Sequence, residues 1–584
     1  MSKERDSVES WLKRINDAKA FRDREKDTQQ WDKYLEGYSG KYNLGDIMQH
    51  MAVIPINLVF AYIHTEIPKL YFKDPHIAVN PKGAANIKSA KITEVAINYL
   101  FNELNIKKEV FKVLLDTLLI GHGWFKFGYS GTFGQMTTAE DVKNQKKNDK
   151  PLDEVREYVK SEEMFVLHVP WEDMVFDTLS KEPPYDCRWM AHRIIKTLDS
   201  VKKSEMYKNA ETLESNYTPK DFKESQSKDT PLVELWEIWD KESNSVYVVT
   251  SGMEKFLRNG PNPYQMEGLP FSMLKFNLVP GKPYPLSDIG IIWPQILEKI
   301  KLRSMQLNHL KRWNRQTFME KGAMSADDKA KYKQGIDGAI IEVEPGTIAQ
   351  NKFMVPQYPT MQAEIFQIES LIQLDLDTIG GQTQTERGAP AATRTRTLGE
   401  VEMMLQGSVS RSDKRKDSLE DFLEEVAKKL IQLLKQFQLT PRYARSVNED
   451  SSLLKQTLGQ AFDGQGLQFS SKEIQGEYDL DVKAGSTIPL SKENRLKVLS
   501  QIIALGPGIG ILPGGKVSRA VGKEILRDLG IKEAERAYLE EEAMLNAQQQ
   551  MMGAQSAAGQ PMLQAGPSGS PVPPPPADGI QNVL

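Results

Sequence analysis

Apolar and aromatic residues recur at mixed three- and four-residue spacing through SVESWLKRINDAKAFRDREKDTQQWDKYLEGYSG and again through KITEVAINYLFNELNIKKEVFKVLLDTLLIGHG, so residues 1–120 read as helical. The second run stops at Gly121 and Gly123. In GWFKFGYSG the period shortens to two, with Phe125, Phe127 and Tyr129 alternating with Lys126 and Gly128, which is strand spacing. MFVLHVPWEDMVFD and PLVELWEIWDKESNSVYVVTSG also read as strands, and the polar tract from Asp240 to Ser245 makes the latter a hairpin. Between them, KNQKKNDKPLDEVREYVKSEE and ETLESNYTPKDFKESQSKDTP are charged and poor in apolar residues, as expected of exposed loops or a surface helix.

The helical period returns after Ser287, a good N-cap, with Ile289, Trp293, Ile296, Ile300, Leu307 and Leu310 on one stripe. Pro294 should restart or kink this helix near its first turns. Carried to Met319 it would be about 50 Å long, which is long for a compact domain. GAIIEVEPGT and FMVPQYP, within 320–360, read as short strands around turns. Residues 361–379 are helical again, and Gly380 and Gly381 supply a stop. Thr397 with Glu400 forms a capping-box pattern ahead of a new helix whose stripe is Leu419, Phe422, Val426, Leu430, Leu433 and Phe437. GEYDLDVKAGST reads as a returning strand, and 491–547 as helices interrupted by LGPGIGILPGG. From residue 548 onward a Pro-, Gly- and Gln-rich stretch lacks the apolar content to pack, which predicts disorder. The fold class that follows is α+β, mostly helical.

Composition narrows the function. The 584 residues carry a formal charge of −4 with 40% hydrophobic and 26% charged residues, so a nucleic-acid partner would have to meet local basic patches. Cys187 is the sole cysteine, which excludes an intrachain disulfide and a cysteine-based zinc site and suits a reducing compartment. The N-terminus MSKERDSVESWLKR lacks the apolar core of a signal peptide. MAVIPINLVFAYIHTEIP holds Pro55, Asn57, His64 and Glu66 in a length barely able to span a bilayer, and reads as a buried helix.

Enzymatic chemistry finds little support. GILPGGKV nearly matches a phosphate-binding loop, but Val517 stands where a magnesium-holding Ser or Thr is needed, and a helical pattern precedes it where a strand is required. A helix-to-helix turn fits better. The seven histidines form no HExxH pair, and His309 fits a solvated helix face. Asp375 and Asp377 point to different faces of a helix, while Asp479 and Asp481 alternate with Leu480 and Val482 as on an exposed strand edge. No metal or cofactor is expected. The stronger signal is basic: Lys299, Lys301, Arg303, Lys311, Arg312 and Arg315 outnumber Asp288 and Glu298 on the 287–319 helix. The segment GGQTQTERGAPAATRTRT then places Arg387, Arg394 and Arg396 against the single carboxylate of Glu386.

The order of these pieces is more specific than any one of them. NLVFAYIHTEIPKLYFKDPHIAV, LIGHGWFKFGYSG, VPWEDMVFD and LPFSMLKFNLVPGKPYPLSDIGIIWPQILEKIKLRSMQLNHLKRWNRQ, with the helix that breaks and returns, resemble the portal proteins of tailed bacteriophages over most of residues 30–440. The match lies in pattern and order, without a short diagnostic motif. It implies a wing at 1–286, helical and then β-rich, that continues at 397–490 as a long helix and returning strand. It further implies stem helices at 287–319 and 361–379, a clip at 320–360, a tunnel loop at 380–396 and a crown at 491–547. The family's usual assembly is a ring of twelve at the capsid vertex, formed in the host cytoplasm and carried in the virion. Its partners are double-stranded DNA, the large terminase, major capsid and scaffold proteins, and head-completion or tail adaptor proteins, with no membrane. The alternatives are a packaging enzyme with its own nucleotide site and a protein-only scaffold.

The resemblance gives the 380–396 loop a physical role. A channel cannot grip DNA tightly, because each phosphate neutralised by Lys or Arg adds affinity through counterion release. A loop made mobile by Gly380, Gly381 and Gly388 could let Arg387, Arg394 and Arg396 touch phosphates transiently. Thr393 and Thr395 add uncharged hydroxyls, and Thr397 is reserved for the helix cap.

Overall fold

The computed structural model describes residues 7–42, 53–71, 75–83, 86–136, 156–219, 231–313, 318–321, 324–334, 342–343, 345, 353–354, 363–381, 398–445, 458, 462–463 and 465–482. For 131–136, 156–162, 310–313, 318–319, 353–354, 363 and 398–412 only the backbone is described. All of these residues belong to one compact unit, Met1–Ile488. The expected crown at 491–547, the C-terminal stretch from 548 and the loop residues 382–396 lie outside the described residues.

Five helices open the chain: α1 (Val8–Gln29), α2 (Trp31–Tyr38), α3 (Leu58–Leu70), α4 (Ile87–Glu103) and α5 (Ile106–Ile120). Side chains fasten two of their N-termini, with the Ser7 hydroxyl accepting from the Ser10 N–H and the Asn57 carbonyl from the Phe60 N–H. The helical reading of 1–120 missed one element, β1 (Ile77–Pro81), which pairs antiparallel with β14 (Tyr478–Val482). The five residues IAVNP between helices carry no alternation of their own, and their partner strand lies far along the chain, with Ile77 opposite Val482 and Pro81 opposite Tyr478. On β14 the expected pattern holds: Leu480 and Val482 are buried, Asp479 and Asp481 exposed.

After α5, β2 (His122–Met136) and β3 (Arg156–Val169) form a long antiparallel hairpin with a register shift at Thr132/Phe133. Residues 156–163, expected to be loop or surface helix, are therefore strand. Their charged sequence hides the fact that the backbone ladder with β2 supplies what apolar alternation usually signals. Next come β4 (Met174–Phe176), β5 (Trp189–Thr197), the short α6 (Leu198–Lys203), β6 (Leu232–Asp240), β7 (Ser245–Val249), β8 (Arg258–Pro261) and β9 (Phe271–Lys275). Strands β4 to β8 make a five-stranded antiparallel meander, and β9 joins the hairpin in the order β3-β2-β9. Strand alternation decides what each face meets. Trp236 and Ile238 pack under α1 against Trp11 and Ile15, while Val233 and Leu235 meet Val201 and Leu213. Between the two sheets the buried Lys126 pairs with Glu237 at 2.6 Å. Phe125 and Phe127 face the other way, and the Phe125 ring meets Phe422 at 5.2 Å.

The chain continues with α7 (Asp288–Trp313), β10 (Phe318–Met319), α8 (Ala326–Gln334), β11 (Phe353–Met354), α9 (Ala363–Gly380), α10 (Leu398–Phe437), β12 (Arg442–Arg445) and β13 (Gly466–Phe469). The Ser287 hydroxyl accepts from the Gly290 N–H at 2.8 Å, so it caps α7 as expected, and the helix runs on through Pro294. Its predicted stripe is buried at Ile289, Trp293, Ile296 and Ile300. The helix stops at Trp313 instead of reaching Met319, because Phe318 and Met319 pair with Met354 and Phe353. Helix α8 was not anticipated: ADDKAKYKQ is polar on nearly every face, and it is held by its Ser325 cap and acidic first turn. Leu419, Phe422, Val426, Leu430 and Leu433 of α10 are buried as their spacing required. Among the described residues no helix is long and apolar enough to cross a membrane.

Candidate functional site

Helices α7 and α9 lie side by side and antiparallel. Lys299 donates to the Gln373 side-chain carbonyl, Arg303 lies 3.6 Å from the Glu369 carboxylate, and a Cβ on Gly380 would stand 3.8 Å from Ile292. Rising numbers on α7 thus meet falling numbers on α9. The basic set expected on the first helix divides accordingly. Lys299 and Arg303 turn toward α9, whereas Lys301, two positions from each, is turned elsewhere. The side chains of Lys311 and Arg312 and the whole of Arg315 lie outside the described residues.

At its C-terminus α9 meets a buried polar network that the sequence did not announce. The Arg415 guanidinium on α10 donates to Glu66 at 3.1 Å, to the Tyr62 hydroxyl at 3.3 Å and to Asp288. Tyr62 in turn donates to the Gly380 carbonyl at 3.2 Å. Glu66 also pairs with Lys69 at 2.9 Å. The Glu66 and Asp288 side chains are 1% and 2% exposed, so their charges depend on these partners. Burial pushes the Asp288 carboxyl above its ordinary range, against the pull of Arg415. Burial works against the charge of Arg415, yet Asp288, Tyr62 and Glu66 hold its affinity for the proton above the usual guanidinium value. Burial, then the neighbouring Asp288, raises Tyr62. A cavity of about 270 Å³ adjoins the network, lined by Asn277, Asp288, Ile292, Gly380, Lys414 and Arg415.

This network ties four helices to one point: α3 through Tyr62 and Glu66, the first turn of α7 through Asp288, the last residue of α9 through Gly380, and α10 through Arg415. The expected loop therefore leaves from a fixed base. Gly380 is the final helical residue and is buried, whereas Gly381, with φ of 70°, makes the turn. Glu66 carried a signal, a carboxylate within the apolar run LVFAYIHTEIP, and such a residue demands a buried partner. Arg415 carried none, since it stands in the charge-dense run RSDKRKDS. Arg387, Gly388, Thr393, Arg394, Thr395 and Arg396 lie outside the described residues.

The outer side of α9 is apolar. Phe366, Ile368, Leu371 and Leu374 are 56%, 43%, 59% and 60% exposed, and the helical period sets Leu371 and Leu374 on the side away from α7. Among the described residues no group of three or more His, Cys, Asp or Glu is placed to hold a metal ion.

A paired-helix unit on a helical and β-rich body follows the order of elements on which the resemblance rested. The class is confirmed by comparison with known families: this is a tailed-phage portal protein. The model described as Phage SU10 portal protein matches residues 132–565, well over half of the chain, and the chain belongs to that family. Among curated proteins none matches it.

Proposed function

We propose that copies of this chain close into a ring at the capsid vertex, with twelve subunits as the family's usual number, and that double-stranded DNA enters and leaves through the bore. In this reading α7 and α9 are the stem that lines the channel, and 320–360 is the clip that receives the large terminase during packaging. The same face then takes head-completion or tail adaptor proteins. Residues 1–286 and 397–490 form the wing against the major capsid and scaffold proteins, and 491–547 form the crown. Residues 380–396 are the tunnel loop, where Arg387, Arg394 and Arg396, with Thr393 and Thr395, touch passing phosphates. The chain itself performs no hydrolysis and needs no cofactor. Assembly takes place in the host cytoplasm and the product stays in the virion.

The observation that carries this reading is the outer face of α9. Four large apolar side chains in 18 residues are left 43–60% exposed, although the same helix buries Ile372 and Leu376 against its own subunit. Such a patch on a subunit surface marks a protein interface. The family match and the position of α9 beside α7 point to neighbouring copies as its cover. The test of the DNA-facing part is binding of duplex DNA at low salt by the assembled full chain, with Arg387, Arg394 and Arg396 replaced together by Ala. Binding should weaken and its salt dependence flatten, because three phosphate contacts are removed. Unchanged affinity and salt slope would refute the loop's role.

A further inference from the structure

The helix pair carries two unlike outer faces, and their levels along the pair are fixed by the internal register. On α7 the side turned away from α9 presents Ile291 and Met305, 38% and 55% exposed, with Lys301 one turn from Met305 on the same stripe. On α9 the side turned away from α7 presents Leu371 and Leu374, flanked by Ile368, with the exposed Asp375 one turn beyond Leu371. Because the two stripes lie on opposite sides of the pair and differ in sequence, a contact between them is head-to-tail and propagates, whereas a two-fold contact would need one self-complementary patch.

We infer that the α7 stripe of one copy packs against the α9 stripe of the next in the same register that joins α7 and α9 within a subunit. This rests on the ring reading above. Rotation about an axis roughly parallel to the helices keeps every residue at its own level. Within one subunit Arg303 lies beside Glu369 and Lys299 beside Gln373. Met305 of one copy then stands at the level of Gln367 in its neighbour, against Ile368 and Leu371. Lys301 stands at the level of Leu371. Asp375 is four residues farther, about 6 Å along the axis at 1.5 Å per residue, within reach of a lysine stem. Apolar side chains thus meet apolar side chains, and a cation meets an anion.

Cysteine pairing in the full chain tests this directly, because the native Cys187 is 1% exposed and stays out of reach of a mild reagent. The double variant Met305→Cys/Ile368→Cys, treated with a short bismaleimide, should give a ladder of covalent oligomers on a denaturing gel that ends at the ring. Each single variant should give none. Dimers from either single variant would overturn the head-to-tail contact. A ring intact by native mass without any ladder would overturn the register while leaving the ring reading in place, and absence of a ring in the unmodified chain would overturn both. Charge exchange is the second measure: Lys301→Asp should abolish rings at protein concentrations where the parent assembles, and Lys301→Asp/Asp375→Lys should restore them. Failure of the exchange to restore rings, with the Cys ladder also absent, rejects the pairing.

Discussion

Replacing Arg415 with Met keeps the length and apolar stem of the side chain but removes the cation that serves two buried carboxylates and the Tyr62 hydroxyl. Glu66 retains Lys69 at 2.9 Å, so the main loss falls on Asp288, whose side chain is 2% exposed. Breaking one side of a buried ion pair costs roughly 3–5 kcal/mol. Unfolding entropy of about 2.1 cal/mol/K per residue gives about 1 kcal/mol/K for a cooperative unit of 488 residues. The variant should therefore melt about 3–5 °C below the parent near neutral pH. The pH dependence is the sharper readout. Burial already raises Asp288 above its unfolded value, and loss of Arg415 raises it further. A carboxyl with a raised folded pKa contributes stability that is present below its unfolded pKa and lost as pH rises through the folded one. The gap between variant and parent should thus be widest at pH 8 and should narrow toward pH 5 as Asp288 takes up its proton. Thermal melts of both proteins across that range, followed by far-UV circular dichroism, measure it. A gap that is constant with pH, or below 1 °C throughout, would refute the account of the network.

Three further outcomes follow from other parts of the fold. Gly121→Ala should cost at least about 2 kcal/mol, because the residue has φ of 99° and a Cβ would meet the Pro285 carbonyl at 2.7 Å, whereas Gly252→Ala, with φ of 85° and open space, should cost about 1–2 kcal/mol from conformation alone; denaturant midpoints distinguish the two. Burial works against the Glu94 charge, but His76, Lys91 and the Val79 N–H together hold its carboxyl down at about 2. It therefore contributes stability above its ordinary 4.5 that is lost as pH falls toward 2, and the stability gap between the parent and Glu94→Gln should shrink over that window in urea titrations. Trp11→Ala removes a fully buried ring packed on Trp189 and Tyr247 at 5.7 Å each and should cost about 3–5 kcal/mol, seen as early proteolytic release of the α1 segment at unchanged cleavage elsewhere.

Elements that bury one stripe of a single segment were legible from the chain. Ile289, Trp293, Ile296 and Ile300 predicted α7, Ser287 marked its start, and the Gly380–Gly381 pair marked the end of α9. Elements defined by a distant partner were not. Strand β1 needs β14, and the charged start of β3 needs β2, and neither pairing leaves a mark in local periodicity. The same holds for the site. The basic residues of α7 were visible as a group, but only packing separates Lys299 and Arg303, turned to α9, from Lys301. Arg415 was one cation in a crowded run until the fold placed it between Glu66 and Asp288. On α9 the apolar residues were plain in IFQIESLIQLDL, yet which of them serve the subunit's own core and which stay exposed is set by helix rotation, fixed here through Ile372 and Leu376.

The central claim is that the outer face of α9 is covered by the next copy in a closed ring. Class-averaged electron micrographs of the purified full chain, viewed down the particle axis, test it most directly. The account predicts an annulus of repeated subunits around an open bore, lost when Leu371 and Leu374 are both replaced by Asp. A population of single subunits under every assembly condition, or rings that persist unchanged in that double variant, would contradict it.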